Sequence, residues 1–234
     1  MSADKLYLIP SALSEDNVAV LSQYALDLVF ALDEFIVENE KTARHFLKST
    51  GIKAPLQNLT LHLLNEHTDK KEIFSLLSPV LSGKDVGLLS EAGCPAVADP
   101  GSDLIRLAHE KNIHVIPLIG PSSIILALMA SGLNGQNFSF AGYLPRERND
   151  RIKSLKELER RSLSKNETQI FIEAPYRNQH LLEDILNICD ENTLLCIACN
   201  ITAKDEFIKT KNIESWKQNV PDINKKATVF LIGK

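Results

Sequence analysis

The sequence predicts an α/β protein made of two α/β domains, and three observations predict it. Short apolar runs alternate with amphipathic stretches, the pattern of a parallel sheet buried under helices. The rhythm changes near Ile119, where a Gly120-Pro121 turn opens a second series of strands. The chain has 234 residues, 44% hydrophobic and 24% charged, enough apolar mass for two such cores.

The expected N-terminal domain, residues 1–119, is a parallel α/β unit. "KLYLI" (Lys5 to Ile9) is its first strand. A helix over Ser14 to Phe30 follows, with Ser14 as N-cap and Val18, Leu21, Ala25 and Leu28 on one face. "DEFIVE" (Asp33 to Glu38) is a strand, and the helix after it is ended by Gly51. "NLTLHLL" (Asn58 to Leu64) alternates as a third strand, followed by a helix from Asp69 to Leu81. "DVGLLS", a helix over Ser102 to Lys111 and the strand "IHVIPLI" (Ile113 to Ile119) complete the unit. The C-terminal domain, residues 120–234, is expected to hold a mixed sheet. Its strands are Asn137 to Leu144, Thr168 to Ala174, Thr193 to Ile201 and Lys226 to Gly233, with a short one at Asp205 to Lys209. Its helices are Ser122 to Ser131, Asn149 to Leu163 and Arg177 to Cys189.

Composition narrows the functions. The net charge of −4 argues against a general nucleic-acid coat. The opening "MSADKLYLIPSAL" lacks a basic start and a long apolar core, and Val115 to Ala130 is too broken to span a bilayer, so a cytoplasmic, membrane-free protein is expected. Cys196 and Cys199 form C-x-x-C, but within an apolar strand they point to opposite faces and read as core. The six histidines lack metal-site spacing, so no metal is expected. Dinucleotide, P-loop and nucleophile-elbow patterns are absent.

One stretch stands out: "SEAGCPAVADPG", Ser90 to Gly101, at a strand end where α/β sheets bind ligands. Pro95 and Pro100 hold its backbone, Gly93 and Gly101 admit close approach, and Asp99 suits a ligand bearing hydroxyls or positive charge. "LIGPSSI" (Leu118 to Ile124) offers a second such turn. By themselves both loops are equally well read as tight strand-to-helix turns.

Taken in order with "GYLP" (Gly142 to Pro145), "EAPYR" (Glu173 to Arg177) and Asn65-Glu66, these loops are more specific. The chain resembles the tetrapyrrole (corrin/porphyrin) methylase superfamily, the class III methyltransferases that use S-adenosylmethionine. It is most similar to the branch that methylates a cytidine ribose 2′-hydroxyl in small-subunit rRNA. The resemblance covers nearly the whole chain. It implies a cofactor in a cleft between two domains, a homodimer, and an rRNA or ribosomal-subunit partner. The implied cofactor contacts are Asp99 and Ser102, Ser123 and Ile124, Phe171 and Ala174, Cys199, Ala227 and Thr228. Glu91 is the implied base or orienter and Arg44 a phosphate contact.

The chain departs from the family's patterns at three places. The first loop, "PSALSEDN" (Pro10 to Asn17), has no glycine. "ENEK" (Glu38 to Lys41) puts Asn39 and Lys41 where relatives carry an acid and an arginine. Glu91 replaces an aspartate. Between Leu144 and Lys165 the chain carries eight Lys or Arg against four acids, which suits either RNA phosphates or a solvated helix face with ion pairs. A small-molecule methyltransferase and a non-catalytic adenosyl-ligand or RNA-binding protein remain open alternatives.

Overall fold

The computed structural model describes residues 5–14, 17–65 and 67–234. The chain divides into two compact units, Met1–Ser122 and Ser123–Lys234. The first holds five parallel strands, β1 (Lys5–Ile9), β2 (Glu34–Val37), β3 (Thr60–Leu63), β4 (Val86–Leu89) and β5 (His114–Pro117), in the order β3-β2-β4-β1-β5. Its helices are α1 (Gln23–Ala31), α2 (Glu40–Ser49), α3 (Lys70–Leu76), α4 (Ser78–Leu81) and α5 (Ser102–Glu110).

Alternation along the strands builds two cores. Leu6, Ile36, Val86 and Leu88 pack with Leu76, Val80, Leu104 and Ala108 from α3 to α5. Tyr7, Ile9, Phe35, Val37 and Leu89 pack with Ala25, Val29, Ala43 and Leu47 from α1 and α2. Helices therefore cover both faces, and each buried aliphatic side chain contributes about 1.5–3 kcal/mol to holding them there. The chain runs from β1 to one side of the sheet and from β4 to the other, so the adjacent ends of β1 and β4 mark the switch point where ligands bind such sheets.

The second unit holds β6 (Phe138–Tyr143), β7 (Thr168–Ile172), β8 (Leu194–Cys199), β9 (Phe207–Asn212) and β10 (Thr228–Gly233), ordered β6-β7-β10-β8-β9. Only β6 and β7 run parallel, so the sheet is mixed. One face packs on α7 (Arg148–Lys165), α8 (Asn178–Ile188) and α9 (Ile213–Gln218) through Leu155, Leu182, Ile185, Trp216 and Phe230. The helix α6 (Ser123–Ser131) packs against β8, β9 and β10. Cys199 lies in the core under α7 to α9, whereas Cys196 is buried outside it, as opposite faces require.

Four elements differ from the sequence reading. The first helix begins at Gln23 rather than Ser14, because Ser22 supplies the N-cap to the Ala25 N–H and a 3-10 turn at Val18–Val20 precedes it. Residues 15 and 16 of that expected helix and of the "PSALSEDN" loop lie outside the described residues, as does Glu66 of the Asn65-Glu66 pair. The expected helix from Asp69 to Leu81 begins after Asp69, its N-cap, but breaks at Leu77, where Pro79 has no N–H to return to Ser75. The strand placed at Asp205 to Lys209 runs from Phe207 to Asn212, and Asn212 then caps α9, which the sequence rhythm did not reveal.

Gly87 sits in the middle of β4, where an added Cβ would stand 2.6 Å from Ile9 Cδ1 and 2.9 Å from Phe35 Cδ1. Gly87→Ala is expected to destabilise the protein by about 1–3 kcal/mol through overpacking, read from the urea midpoint at unchanged slope.

Candidate functional site

At the carboxyl ends of β1, β4 and β5 three loops are joined to one another. Ser11 and Gly93 form an isolated antiparallel bridge, with N–H···O distances of 2.9 and 3.1 Å in the two directions. The Ser11 hydroxyl donates to the Ser90 carbonyl at 2.7 Å, and the Ser90 hydroxyl donates to the Gly93 carbonyl at 2.6 Å. The β5 loop is attached through Cys94 Sγ, which donates to the Pro121 carbonyl at 3.4 Å. Gly120 lies so close to Pro10 that a Cβ there would be 2.1 Å from the ring carbon Cγ, so only glycine lets these two loops meet.

The small side chains of Ser90 to Gly101 have a conformational cause. Ala96 and Ala98 both adopt left-handed backbone, at φ of 62° and 63°, a region that is costly for larger side chains. This winding turns Asp99 inward. Among the described residues, its buried Oδ2 has no hydrogen-bond partner. Burial, reinforced by the charges of Glu38 and Glu91, raises its pKa from 3.8 to about 6. Ser102 follows as the first residue of α5, with its side chain exposed.

Glu91 is exposed at the rim and accepts the Thr42 hydroxyl of α2. Together with Glu38, Asn39, Thr42, Phe46 and Ser90 it lines a small pocket between α2 and the end of β4. Asn39, where relatives carry an acid, caps α2 by accepting the Lys41 and Thr42 N–H groups at 2.9 and 3.3 Å. Arg44 stands apart from this pocket. Its Nη1 donates to the Leu56 carbonyl at 2.6 Å, and Nη2 lies 3.8 Å from Glu40, which ties α2 to the turn before β3. His62 lies in β3 opposite β2 and bonds Glu34 Oε2 at 3.0 Å, at the amino end of the sheet.

In the second unit the remaining sequence-predicted residues converge on one end of the sheet. Phe171 is paired with Phe230 in register and stacks on it at 5.8 Å between centroids. Cys199 pairs with Thr228, and the Asn200 N–H donates to the Ala227 carbonyl at 2.8 Å. Leu133, just past α6, packs on Gly233 at the far end of β10, so α6 begins with Ser123 and Ile124 toward the Thr228 end. Phe171 and Cys199 are fully buried, backbone included, so they shape this end of the sheet from beneath.

The "EAPYR" turn stitches this end together. Glu173 Oε1 accepts the Ala174 N–H at 2.7 Å and pairs with Arg177. Asn178, buried at the start of α8, donates to the Lys226 carbonyl at 2.6 Å, and the Lys225 N–H donates to Pro175 at 2.9 Å. Glu173 Oε2 and Asn178 Oδ1 are buried without partners among the described residues. Ser11, Thr42 and Asn178 escaped the sequence reading, since each partner lies 48 to 82 residues away or carries no motif. Chemically, the first unit offers an uncommitted carboxylate oxygen in a negative field, suited to hydroxyls or a cation. The second offers backbone groups at a sheet end.

No family model matches the chain. It is 32% identical over 207 residues to ribosomal RNA small subunit methyltransferase I of Escherichia coli O157:H7, covering 88% of this chain and 68% of that protein. It is also 32% identical over 233 residues to the protein of that name from Buchnera aphidicola subsp. Schizaphis graminum, covering 97% and 77%. Among solved structures it is similar to the methyltransferase CobJ, with a TM-score of 0.65 at 16% identity over 100% of this chain and 95% of the other. The cobalt precorrin-4 methyltransferase CbiF gives 0.62 at 15% identity, over 98% and 94%. These two likenesses are of fold.

The raised pKa of Asp99 has a consequence for stability. At pH 4 the folded protein holds this carboxyl neutral, whereas the unfolded chain ionises it from 3.8 upward. The folded state binds the extra proton, so stability falls as pH rises toward and through about 6. Asp99→Asn is therefore expected to match the wild type near pH 4 and to exceed it by about 1–2 kcal/mol at pH 7.5, allowing for solvent screening. Thermal melts of both proteins across this range check it.

Proposed function

Because the chain belongs to the ribosomal RNA small subunit methyltransferase I family, we propose that it methylates a cytidine ribose 2′-hydroxyl in small-subunit rRNA. It is a methyltransferase of class III fold, and its methyl donor is S-adenosylmethionine. When bound, this donor supplies a methyl group on a sulfonium, activated for in-line displacement. The residues present fit it. Asp99 Oδ2 is an orphaned acceptor beside Glu38 and Glu91, complementary to ribose hydroxyls and positive charge. That acceptor is the observation that carries the reading.

Two sets of residues are proposed to hold the donor. In the first unit they are Asp99 and Ser102. In the second they are Ser123, Ile124, Phe171, Ala174, Cys199, Ala227 and Thr228. The chain's own task is positioning and exclusion of water. Glu91, oriented by the Thr42 hydroxyl, is the proposed base or orienter for the attacking 2′-hydroxyl. Arg44, bonded to Leu56 and facing Glu40, would have to leave these partners to meet a phosphate.

Assembly as a homodimer and action in the cytoplasm belong to the same reading. Ile125 and Met129, exposed one turn apart on α6, supply an apolar face for a second copy. Among the described residues no helix is long and apolar enough to cross a membrane.

Calorimetry with S-adenosylmethionine is expected to show one site per chain, weakened at least tenfold by Asp99→Ala while the melting transition persists. Small-subunit rRNA from a strain lacking the gene should lose one 2′-O-methylcytidine. An rRNA that keeps all its 2′-O-methyl groups overturns the substrate, and absence of donor binding by the wild type overturns the enzyme.

A further inference from the structure

We propose that Arg146 and Arg148 grip the backbone phosphates of an unpaired RNA strand, with a base stacked on Tyr143, at the carboxyl end of β6. This assignment rests on the reading of RNA as substrate and says which surface of the second unit receives it.

The structure sorts the basic segment into two kinds of cation. Along the body of α7, Lys153, Arg160 and Arg161 are engaged by acids of the same unit, while Lys156 and Lys165 are exposed. Lys153 reaches Asp150 at 3.0 Å, Arg160 forks Glu157 at 2.8 and 2.6 Å, and Arg161 spans both oxygens of Glu167 at 3.1 and 3.2 Å. These three paired cations offer a polyanion little.

The start of α7 is built differently. Arg151 is buried, and its Nε and Nη2 both donate to Asp184 Oδ2, at 2.9 and 2.7 Å. Its Nη1 donates to the Arg146 carbonyl at 2.8 Å, which fixes the backbone that carries the Arg146 side chain. The other oxygen of Asp184 accepts Arg148 Nε at 2.9 Å. One buried carboxylate thus holds two guanidinium groups and leaves a net positive charge. The Arg148 side chain remains 67% exposed, and Arg146 is exposed. The Arg148 guanidinium is held on Asp184 before any ligand arrives, so little of its side-chain entropy is lost on binding, and Arg146 is fixed at its backbone.

The same place carries an aromatic surface. Tyr143 ends β6, three residues before Arg146, and is 56% exposed. A cavity lined by Arg148, Arg151, His180, Glu183, Asp184 and Asn187 lies beside the arginines. The carboxylates of Glu147 and Glu183, the latter 3.6 Å from His180 Nδ1, confine the positive field to a small patch. A duplex needs a long basic track. One or two phosphates next to an exposed ring match a single strand, whose bases are free to stack.

The test is fluorescence anisotropy with a labelled single-stranded small-subunit rRNA fragment across a salt series, with donor calorimetry on every variant. Arg146→Ala/Arg148→Ala is expected to weaken binding at least tenfold at 0.1 M salt. It should also flatten the log–log salt slope by about 1.4, at roughly 0.7 for each single-strand phosphate no longer neutralised. Tyr143→Ala is expected to weaken binding about tenfold with the slope unchanged. Arg160→Ala, which removes one positive charge from a paired position, should stay within about twofold of wild type, and unchanged donor affinity shows that each variant is folded. A double variant that binds like the wild type, or an Arg160→Ala that weakens binding as much, overturns the assignment. A wild type that binds no RNA overturns instead the reading of the substrate.

Discussion

Two backbone hydrogen bonds between Ser11 and Gly93 join the loops that leave β1 and β4. These strands are neighbours, yet the chain leaves them toward opposite sides of the sheet, so their ends would otherwise part as an open crevice. The bridge closes the floor of that crevice. The Ser11 hydroxyl then satisfies the Ser90 carbonyl, and the Ser90 hydroxyl adds a second donor to the Gly93 carbonyl. With the floor held, the chain from Ala96 to Asp99 winds through left-handed backbone, and a carboxylate is turned inward without a partner. Gly120 against Pro10 fastens the third loop to the same point.

Charge is used in contrasting ways in the two units. In the first, Glu38, Glu91 and Asp99 are kept near one another, which opposes ionisation of the most buried of them. Such an arrangement costs stability and is retained where a cationic or hydroxyl-bearing ligand relieves it. In the second, like charges are brought together around a counter-charge: Arg148 and Arg151 share Asp184. The net charge of −4 conceals both features, because it sums a negative pocket with a locally positive helix start.

Much of the fold was legible because burial imposes period. Leu6 and Ile9, or Phe35 and Val37, announce their faces by alternation. The misread elements share a cause. Ser14 and Ser22 are equally good caps, and only the path out of β1 selects Ser22. Pro79 signals a break, but the periodic apolar residues on either side mask it. In the candidate site, the loops that carry Asp99, Ser123 and Ala174 stood out through ordered motifs, whereas Cys199 and Thr228 carry none.

What the sequence determined by itself was the strand–helix alternation, the two-part division, the family, and the residues that carry its motifs. These follow from local period, turn chemistry and residue identity, all of which are written along the chain. What only the tertiary structure decided was which of those residues face one another. It left Asp99 without a partner and gave Arg44 to the Leu56 carbonyl. It brought Arg148 and Arg151 together on Asp184. The physical reason is that a charge's environment depends on distances through space, and a sheet brings together residues separated by 36 to 82 positions.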